Sequence, residues 1–566
     1  MARSQANGDS ASNSDQSKDA IEPVSQNNNQ QPLTAARTPS DSDLDGHGHK
    51  EKDGRVELTE NEAYDKLGFS WSDAKKWRIL TVIFIVQCSM NFNASVYANA
   101  VGQLSEQFHM SEQAARVGQG VFLICYAFGC ELWAPWSEEL GRFWVLQASL
   151  GLVNIWQILC ALAPNKGALF VGRALGGLSS AGGSVTLGMV ADMWQPEHQQ
   201  FAVAYVVLSS VGGSVLGPIF GGMIQAWLPW QWNFWTQLIF GGVTQILHFF
   251  LVPETRVTVI LDKEAKKMRK SGENPNVYGP NEMAGGLFER LTPKELITIW
   301  IRPFRMFLTE PIVLFLSLLS GFSDALIFTF LDGFTPVFDQ WGFSVVAEGL
   351  VFISILVGYF LAYFSFMPFF IRDKRYMAKY GAEALIPERR LIWLLFLAPL
   401  EAIGLFGFAW TSLGPAYGIP WIAPAIFACL VGIANYAIYM ATIDYMIAAY
   451  GPYAASATGG NGFARDFLAG IAAFYSTPFY SYFATDTLEY PSTILACIAV
   501  VVTIPIYICY WKGPVIRERS KFAQTLAGAR QDNNGRRVSM AVQGQLAEED
   551  REKADREVEQ QRHEKV

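Results

Sequence analysis

The sequence predicts an all-α polytopic membrane protein with twelve transmembrane helices arranged in two six-helix halves. Apolar runs of about twenty residues recur between Ile79 and Trp511, and each is long enough to cross a bilayer as a helix. Although 51% of the residues are hydrophobic, charged residues crowd into the chain ends and a few loops. One long polar stretch, 253–305, separates the first six runs from the last six.

The domain organisation follows from this distribution. Residues 1–74 are rich in Ser, Asn, Gln and Asp and contain no apolar segment, so we expect a disordered cytosolic N-terminal tail. The two membrane halves are expected at 75–252 and 306–512, with a cytosolic central loop at 253–305 between them. A cytosolic C-terminal tail is expected at 513–566.

The individual spans are predicted from the apolar runs. In the first half they lie at 79–100, 117–136, 143–163, 168–191, 201–227 and 234–252, and in the second at 308–335, 346–369, 391–412, 420–443, 457–483 and 491–511.

Basic residues indicate the orientation of these spans. Ten Lys and Arg residues lie between Arg256 and Arg305, whereas the loops on the other side hold only Arg116 and Lys166. Because positive charge stays in the cytoplasm, both termini are predicted to be cytoplasmic. The expected location is the plasma membrane. The basic stretch at 261–270 is either an amphipathic helix on the inner membrane face or a solvated linker.

Several classes of function have no support. All seven cysteines fall within apolar runs, and no Cys/His group has metal-ligand spacing, so we expect neither disulfides nor a metal nor another cofactor. There is no GxxxxGK[ST] sequence for a nucleotide. Neither a nucleophile–base pair nor a basic nucleic-acid surface is present, so an enzyme and a nucleic-acid binder are not expected.

The stretch GSVLGPIFGG at 213–222 lies inside the fifth apolar run. It contains Gly213, Gly217, Pro218, Gly221 and Gly222, residues that disrupt a soluble helix. In a membrane helix, neighbouring helices re-satisfy the freed backbone groups and small residues allow close packing.

At these residues the sequence resembles the major facilitator superfamily, and within it the fungal twelve-spanner drug:proton antiporters. Residues 213–222 match the gxxxGPxxGG antiporter signature at every fixed position. The segments PWSEELGR at 135–142 and RALGG at 173–177 resemble the loop signature and the span-four motif of the family. The likeness covers about 65–522 and implies the major facilitator fold, with proton-coupled export of amphipathic molecules.

The resemblance also implies roles for single residues. Glu138, Arg142 and Asp192 are expected at inner helix ends as a gating salt-bridge cluster, which Arg465 is expected to join. Phe143 stands where the family has a second basic residue.

Ionisable residues within the spans are candidates for proton coupling, because a charge at membrane depth requires a partner or a function. Arg173 matches the family's coupling arginine, although a packing or snorkelling role is the alternative. Asp324 and Asp332 lie eight residues apart, about 80° around a helix, so both are expected to face one cavity. Glu131 is a further candidate, with a structural hydrogen bond as its alternative. Glu401 is either specific to the substrate or faces a wet groove.

Polar and aromatic residues in the spans are candidates for the substrate cavity. Asn91 and Asn93 require hydrogen-bond partners in the membrane, and Tyr436 and Tyr439 lie among aromatics placed to line an apolar cavity. The alternative for each aromatic is packing.

The predicted function is export of a small amphipathic organic molecule by alternating access, coupled to protons, with the lipid bilayer as the other partner. No obligate protein partner is indicated. One alternative is a proton-coupled importer, for example of polyamines or vitamins. The other is a membrane sensor that binds without transporting.

Overall fold

The computed structural model describes residues 51–52, 54–180, 182–194, 198–285, 293–381, 385–483, 487–520 and 522–523. The helices of the first half are α1 Asp73–Ser95, α2 Val101–Gln107, α3 Glu112–Glu139, α4 Arg142–Ala161, α5 Lys166–Ser179, α6 Gly182–Met193, α7 Gln200–Trp227 and α8 Gln231–Leu251. A 3-10 turn, Val96–Ala100, joins α1 to α2.

The central loop contains α9 Val257–Ser271, α10 Pro280–Met283 and the beginning of α11 Pro293–Thr309. The second half consists of α12 Pro311–Phe338, α13 Val345–Val351, α14 Ile353–Tyr380, α15 Ile392–Leu397, α16 Pro399–Thr411, α17 Ile422–Tyr450, α18 Ala454–Phe483 and α19 Glu489–Arg519.

Every predicted span coincides with helix in this structure. Within the described residues, ten helical runs are long and apolar enough to cross a membrane. The other two predicted spans correspond to α5 followed by α6, and to α18, a helix of 30 residues. The arrangement is thus consistent with twelve crossings, and the chain is a multi-pass membrane protein.

The two halves contact each other along two seams. One lies between α3 and α18, and the other between α7 and the second-half helices α13, α14 and α17. A single apolar core extends through both halves. Because successive helices alternate in direction, the start of α1, the ends of α3 and α6 and the start of α18 lie at the same end of the bundle as α9. We call this the loop end, and the opposite end the far end.

A small folded unit covers part of the loop end. Strand β1, Glu51–Lys52, pairs antiparallel with β2, Arg55–Glu57, which pairs in parallel with β3, Val277–Tyr278. Leu58, Leu67 and the α9 residues Leu261 and Ala265 share a buried apolar cluster. We call residues 54–70 and 257–283 together the loop-end unit.

The loop-end unit differs from the sequence expectation in two ways. Residues 54–72 belong to an ordered part of the molecule rather than to a disordered tail. The apolar face of α9 packs on this N-terminal segment, so it is covered by protein rather than by the membrane surface.

Candidate functional site

The middle of the bundle contains a cluster of ionisable residues contributed by both halves. Glu131 comes from α3, Asp324 from α12, and Arg465 and Asp466 from α18; all four are buried. The Arg465 guanidinium lies 3.2 Å from an Asp466 oxygen and 3.8 Å from an Asp324 oxygen, and stacks 4.0 Å from the ring centroid of Tyr439. We call these five residues the central cluster.

Glu131 enters the central cluster from the other side of the interface. It is an electrostatic neighbour of Asp466, and its carboxyl group lies against Gly459 of α18, where a Cβ would be 2.7 Å from Oε1. A glycine at this position therefore allows an acid of the first half to approach the second half closely.

The charges of the central cluster do not balance. Three carboxyl groups share one guanidinium, and an unpaired carboxylate at this depth costs several kcal/mol. Asp324 lies about 20 Å and Arg465 about 17 Å from the loop-end terminus of its helix, at 1.5 Å per residue. The central cluster therefore holds two more buried carboxyl groups than cations.

A cavity of about 300 Å³ leads from the central cluster toward the loop end. Glu131, Tyr439, Arg465 and Asp466 line its inner part, and Glu138, Arg142, Asp192 and Arg256 line its loop-end part. Apolar side chains, including Leu187, Val203, Ile443 and Ile447, form the walls between them.

The predicted gating residues meet at the loop-end mouth of this cavity. Arg142 Nε lies 3.0 Å from Asp192, and Arg256 Nη1 lies 3.6 Å from the same carboxylate. Glu138 participates through its backbone carbonyl, which accepts a hydrogen bond of 3.2 Å from Arg256. The structure places Arg465 in the central cluster, although the sequence analysis grouped it with the gate.

A sharp turn positions Arg142. Gly141 adopts φ 95°, a conformation that favours glycine, and α4 begins at the next residue. The Glu254 carboxylate accepts hydrogen bonds from the amides of Arg142 and Phe143, at 2.9 and 3.3 Å. The sequence analysis missed Glu254 and Arg256, and the only signal for either is an acid and a base directly after a span.

Arg173 forms a separate buried network in the first half. Its Nη1 donates to the backbone oxygen and Oδ1 of Asn93, at 3.2 and 3.0 Å, and its Nε donates to the Gly118 carbonyl. Its guanidinium also stacks on the rings of Tyr97 and Phe122, 4.7 and 4.0 Å away. Within the described part of the chain, carbonyl oxygens and aromatic rings rather than a carboxylate surround this cation.

The remaining cavity candidates make structural contacts. Asn93 also accepts from Gln157, and Asn91 donates to the Gln87 carbonyl at 3.0 Å. The Tyr436 hydroxyl donates to the Ala204 carbonyl of α7 at 2.8 Å, which links the two halves. Of the four candidates, Tyr439 lines the central cavity.

Asp332 lies near the far end rather than in the central cluster. It forms an ion pair with Arg116 of the first half and accepts a hydrogen bond from Ser476. Together with Glu112, Glu348 and several aromatic rings, it lines a second cavity of about 720 Å³. The expectation that Asp324 and Asp332 face one cavity is not met, because two helical turns place them in different clusters.

Polar groups of the two halves also meet near the loop end. The Asp444 carboxylate of α17 accepts from Gln200 of α7 and pairs with Arg390, both at 2.5 Å. The halves are therefore joined by polar contacts on both sides of the central cluster.

The glycine-rich stretch 213–222 packs on two partners. A Cβ at Gly213 would lie 2.6 Å from the Cys88 carbonyl oxygen, and one at Gly217 would lie 2.7 Å from the Val96 nitrogen. A Cβ at Gly221 would lie 2.7 Å from Asn99 Cγ. These three glycines therefore face the first span. Gly222 instead faces Val345 of α13 in the second half, 2.8 Å from its carbonyl oxygen. Pro218 also lies on that seam, because a Cβ on Gly349 would be 2.6 Å from its carbonyl oxygen.

Glu401 is a buried acid outside the central cluster. It lies in α16 with none of its surface exposed, beside the Ser323 hydroxyl. Neither carboxyl oxygen makes a hydrogen bond of standard geometry with a described residue. Ser323 accepts a hydrogen bond from Asn435 and directly precedes Asp324 in the chain. A wet groove does not surround this residue.

Among the residues that the structure describes, no group of three or more His, Cys, Asp or Glu side chains has a metal-binding arrangement.

Comparison with known proteins gives matches along most of the chain. Residues 83–474 match the sequence model of the Major Facilitator Superfamily. The transporter paaT of Penicillium rubens is 30% identical over 458 residues, which cover 80% of this chain and 81% of that protein. The multidrug transporter FLR2 of Candida glabrata is 27% identical over 466 residues, which cover 80% and 77%.

The fold is also similar to that of a solved structure. The xylose transporter XylE from E. coli, in a partially occluded inward-open conformation, superposes with a TM-score of 0.53. The match covers 77% of this chain and 98% of that one, at 15% sequence identity.

Proposed function

The chain belongs to the major facilitator superfamily, and we propose that it is a proton-coupled secondary transporter that exports small amphipathic organic molecules by alternating access. The family and the predicted fold class, an all-α polytopic protein with the major facilitator fold, are shown by the matches above. Proton coupling, direction and substrate class are the proposal. The observation that carries it is the central cluster, where both halves share an excess of buried carboxyl groups around Arg465.

Protons would couple to movement by changing the electrostatic repulsion between the two halves. Glu131 belongs to the first half, whereas Asp324, Arg465 and Asp466 belong to the second. A proton on Glu131 removes its repulsion with Asp466, and loss of that proton restores it. Because the halves separate differently in the two access states, a change in protonation shifts the equilibrium between them. Arg173 would contribute by holding α5 against the first and third helices.

The proposed proton carriers are therefore Glu131 and Asp324, with Asp332 in a different role. Asp332 pairs with Arg116 across the far end, where such a pair must break whenever that end opens. At the loop end, the ion pairs of Arg142 and Arg256 with Asp192 would hold the first half in shape while the halves rock.

The lining and the volume of the central cavity support the proposal of an amphipathic substrate. It combines apolar walls with Tyr439 and acids at one end, and a volume of about 300 Å³ is at the lower limit of sites for drug-sized ligands. One of the relatives is named a multidrug transporter. Export rather than import is proposed from the resemblance of 213–222 to the antiporter signature.

We also propose a membrane location and an orientation for the protein. The bias of Lys and Arg toward the loop end favours a cytoplasmic position for that end and for both termini. The plasma membrane is the proposed location, because an exporter there removes a compound from the cell.

A reconstituted system tests the proposal. Purified protein in liposomes is exposed to a panel of amphipathic fluorescent dyes with an outward or inward pH gradient, while an internal pH dye reports proton movement. We expect dye to move against its gradient in the direction opposite to the proton flux. Co-movement in one direction would favour the importer, and saturable binding without flux would favour the sensor.

Variants connect the result to the central cluster. Asp324→Asn and Glu131→Gln are expected to abolish pH-driven dye movement, because each removes a group that exchanges a proton. Glu106→Gln, which makes the same change at an exposed far-end residue, is the matched control and is expected to retain it. Full coupling in both central variants would contradict the proposed proton site.

A further inference from the structure

A groove at the loop end lies where four segments of the first half and its loop meet. It has a volume of about 480 Å³. The start of α1, the start of α4, the end of α8 and the second turn of α9 form its walls. Its basic side chains are Lys75 and Arg78 of α1 and Lys263 of α9. We call it the basic groove.

Among the residues that the structure describes, the cations of the basic groove have no acidic partner. Lys75 and Arg78 are three residues apart on one helix, a spacing that places them on the same face, and they repel each other electrostatically. Lys75 Nζ lies 3.6 Å from the ring centroid of Trp71, a contact that leaves its charge uncompensated. With the described residues, none of the three basic side chains forms a salt bridge.

One carboxylate, that of Glu254, lies at the edge of the groove, but its oxygens already accept hydrogen bonds from backbone amides. In addition to the amides of Arg142 and Phe143, it accepts hydrogen bonds of 2.9 Å from the amides of Thr255 and Arg256. Four backbone donors therefore take up its lone pairs. The groove retains a net positive charge with N–H donors free to bind an anion.

Large aromatic rings form the membrane side of the groove. Trp144 of α4 and Phe249 and Phe250 of α8 have 60%, 51% and 76% of their surface exposed. They lie in the first turn of α4 and the last turn of α8, the depth at which aromatic residues meet the headgroup region. A ligand here would contact positive charge on one side and apolar surface on the other.

We propose that the basic groove binds the headgroup of an anionic phospholipid from the leaflet at the loop end. The phosphate would lie between Arg78 and Lys263, and the acyl chains would extend along Trp144 and Phe250. Basic pockets between membrane helices on the cytoplasmic side suit such headgroups. A free phosphate would use the cations alone, so the exposed rings favour the lipid.

The position of the groove links the lipid to the gate. Glu254 forms part of its wall and also holds the turn that positions Arg142 against Asp192. A bound headgroup would join α1, α4, α8 and the loop-end unit, and would hold this side of the first half together.

Native mass spectrometry of the full chain in a non-ionic detergent tests the site. The protein is incubated with phosphatidylserine or phosphatidylcholine at equal molar ratios. We expect preferential retention of phosphatidylserine, and a loss of about tenfold or more in its apparent affinity in the Arg78→Gln, Lys263→Gln double variant, since each basic residue near a membrane surface contributes measurably to anionic lipid binding.

A matched double variant distinguishes this site from general electrostatics. Lys266→Gln with Lys267→Gln removes the same charge from exposed positions of α9 that pair with Glu282 and Glu264 instead, and is expected to leave retention within about twofold. Equal loss in both double variants, or no preference for phosphatidylserine in the wild type, would overturn the proposal. Displacement of the lipid by millimolar inorganic phosphate would also overturn it, because the groove would then be a site for free anions.

Discussion

Replacing Gly217 by alanine is expected to destabilise the first half by forcing α7 away from the first span. A Cβ at this position would lie 2.7 Å from Ser95 Cβ and 2.7 Å from the Val96 backbone nitrogen, with the Ser95 hydroxyl closer still. Contacts below 3.0 Å are not tolerated, and a backbone atom in a 3-10 turn cannot rotate away as a side chain does. Overpacking of this kind costs about 1–3 kcal/mol.

Gly212 provides a matched control on the same helix. It is also buried, but a Cβ there meets no heavy atom within 4 Å. Gly212→Ala therefore adds the same methyl group to the same helix without the clash. Alanine also favours helix over glycine by about 1 kcal/mol, so this variant is expected to be as stable as the wild type or slightly more stable.

The measurement that tests this prediction is the thermal stability of the variants. Detergent-solubilised variants are heated in steps, and the fraction that remains monodisperse is measured by size-exclusion chromatography. The Gly217→Ala midpoint is expected below that of Gly212→Ala, and Gly217→Leu, whose side chain is larger, is expected to lose flux at equal expression. Coincident midpoints for the two alanine variants would refute the packing argument.

Gly222 allows packing within the first half to be distinguished from contact between the two halves. Its neighbour is the Val345 carbonyl of the second half, so a methyl group there acts on the contact between the halves rather than within one. Gly222→Ala is expected to change the rate of transport more than the thermal midpoint of the protein, the reverse of Gly217→Ala.

Three further predictions follow from the buried charges and the loop-end unit. Asp332→Asn and Arg116→Gln are each expected to be destabilising, by at most about 3–5 kcal/mol, because each breaks a partly buried ion pair. In a double-mutant cycle the double variant should cost less than the sum of the single variants, and additive losses would mean that the pair does not interact. Glu401→Gln is expected to keep the wild-type thermal midpoint, because no cation pairs with this carboxyl among the described residues, whereas a large drop would reveal a charge requirement. Leu261→Asp should expose residues 54–67 to limited proteolysis by placing a charge in the loop-end core, and Lys267→Asp on the exposed face of α9 should not.

The sequence by itself determined the positions of the membrane-spanning helical segments. Each span is an apolar run whose length suits the bilayer, and this property belongs to the segment alone. The glycines of 213–222 were likewise recognisable as packing positions, because in a membrane helix small residues have few other uses. The ion pair between Arg142 and Asp192 was partly predictable, since both residues lie in short motifs at helix ends.

The partners of the buried charges were decided only by the tertiary structure. Asp332 pairs with Arg116, 216 residues away, and the central cluster combines residues of four helices. Which charges meet depends on the rotation and depth of each helix against its neighbours, and neither is encoded in a local period. The same reason applies to the loop-end unit, where residues 55–57 pair with Val277–Tyr278. The N-terminal segment and the central loop each have the composition of a tail or a linker. They form a shared apolar core only when the folded chain brings them together.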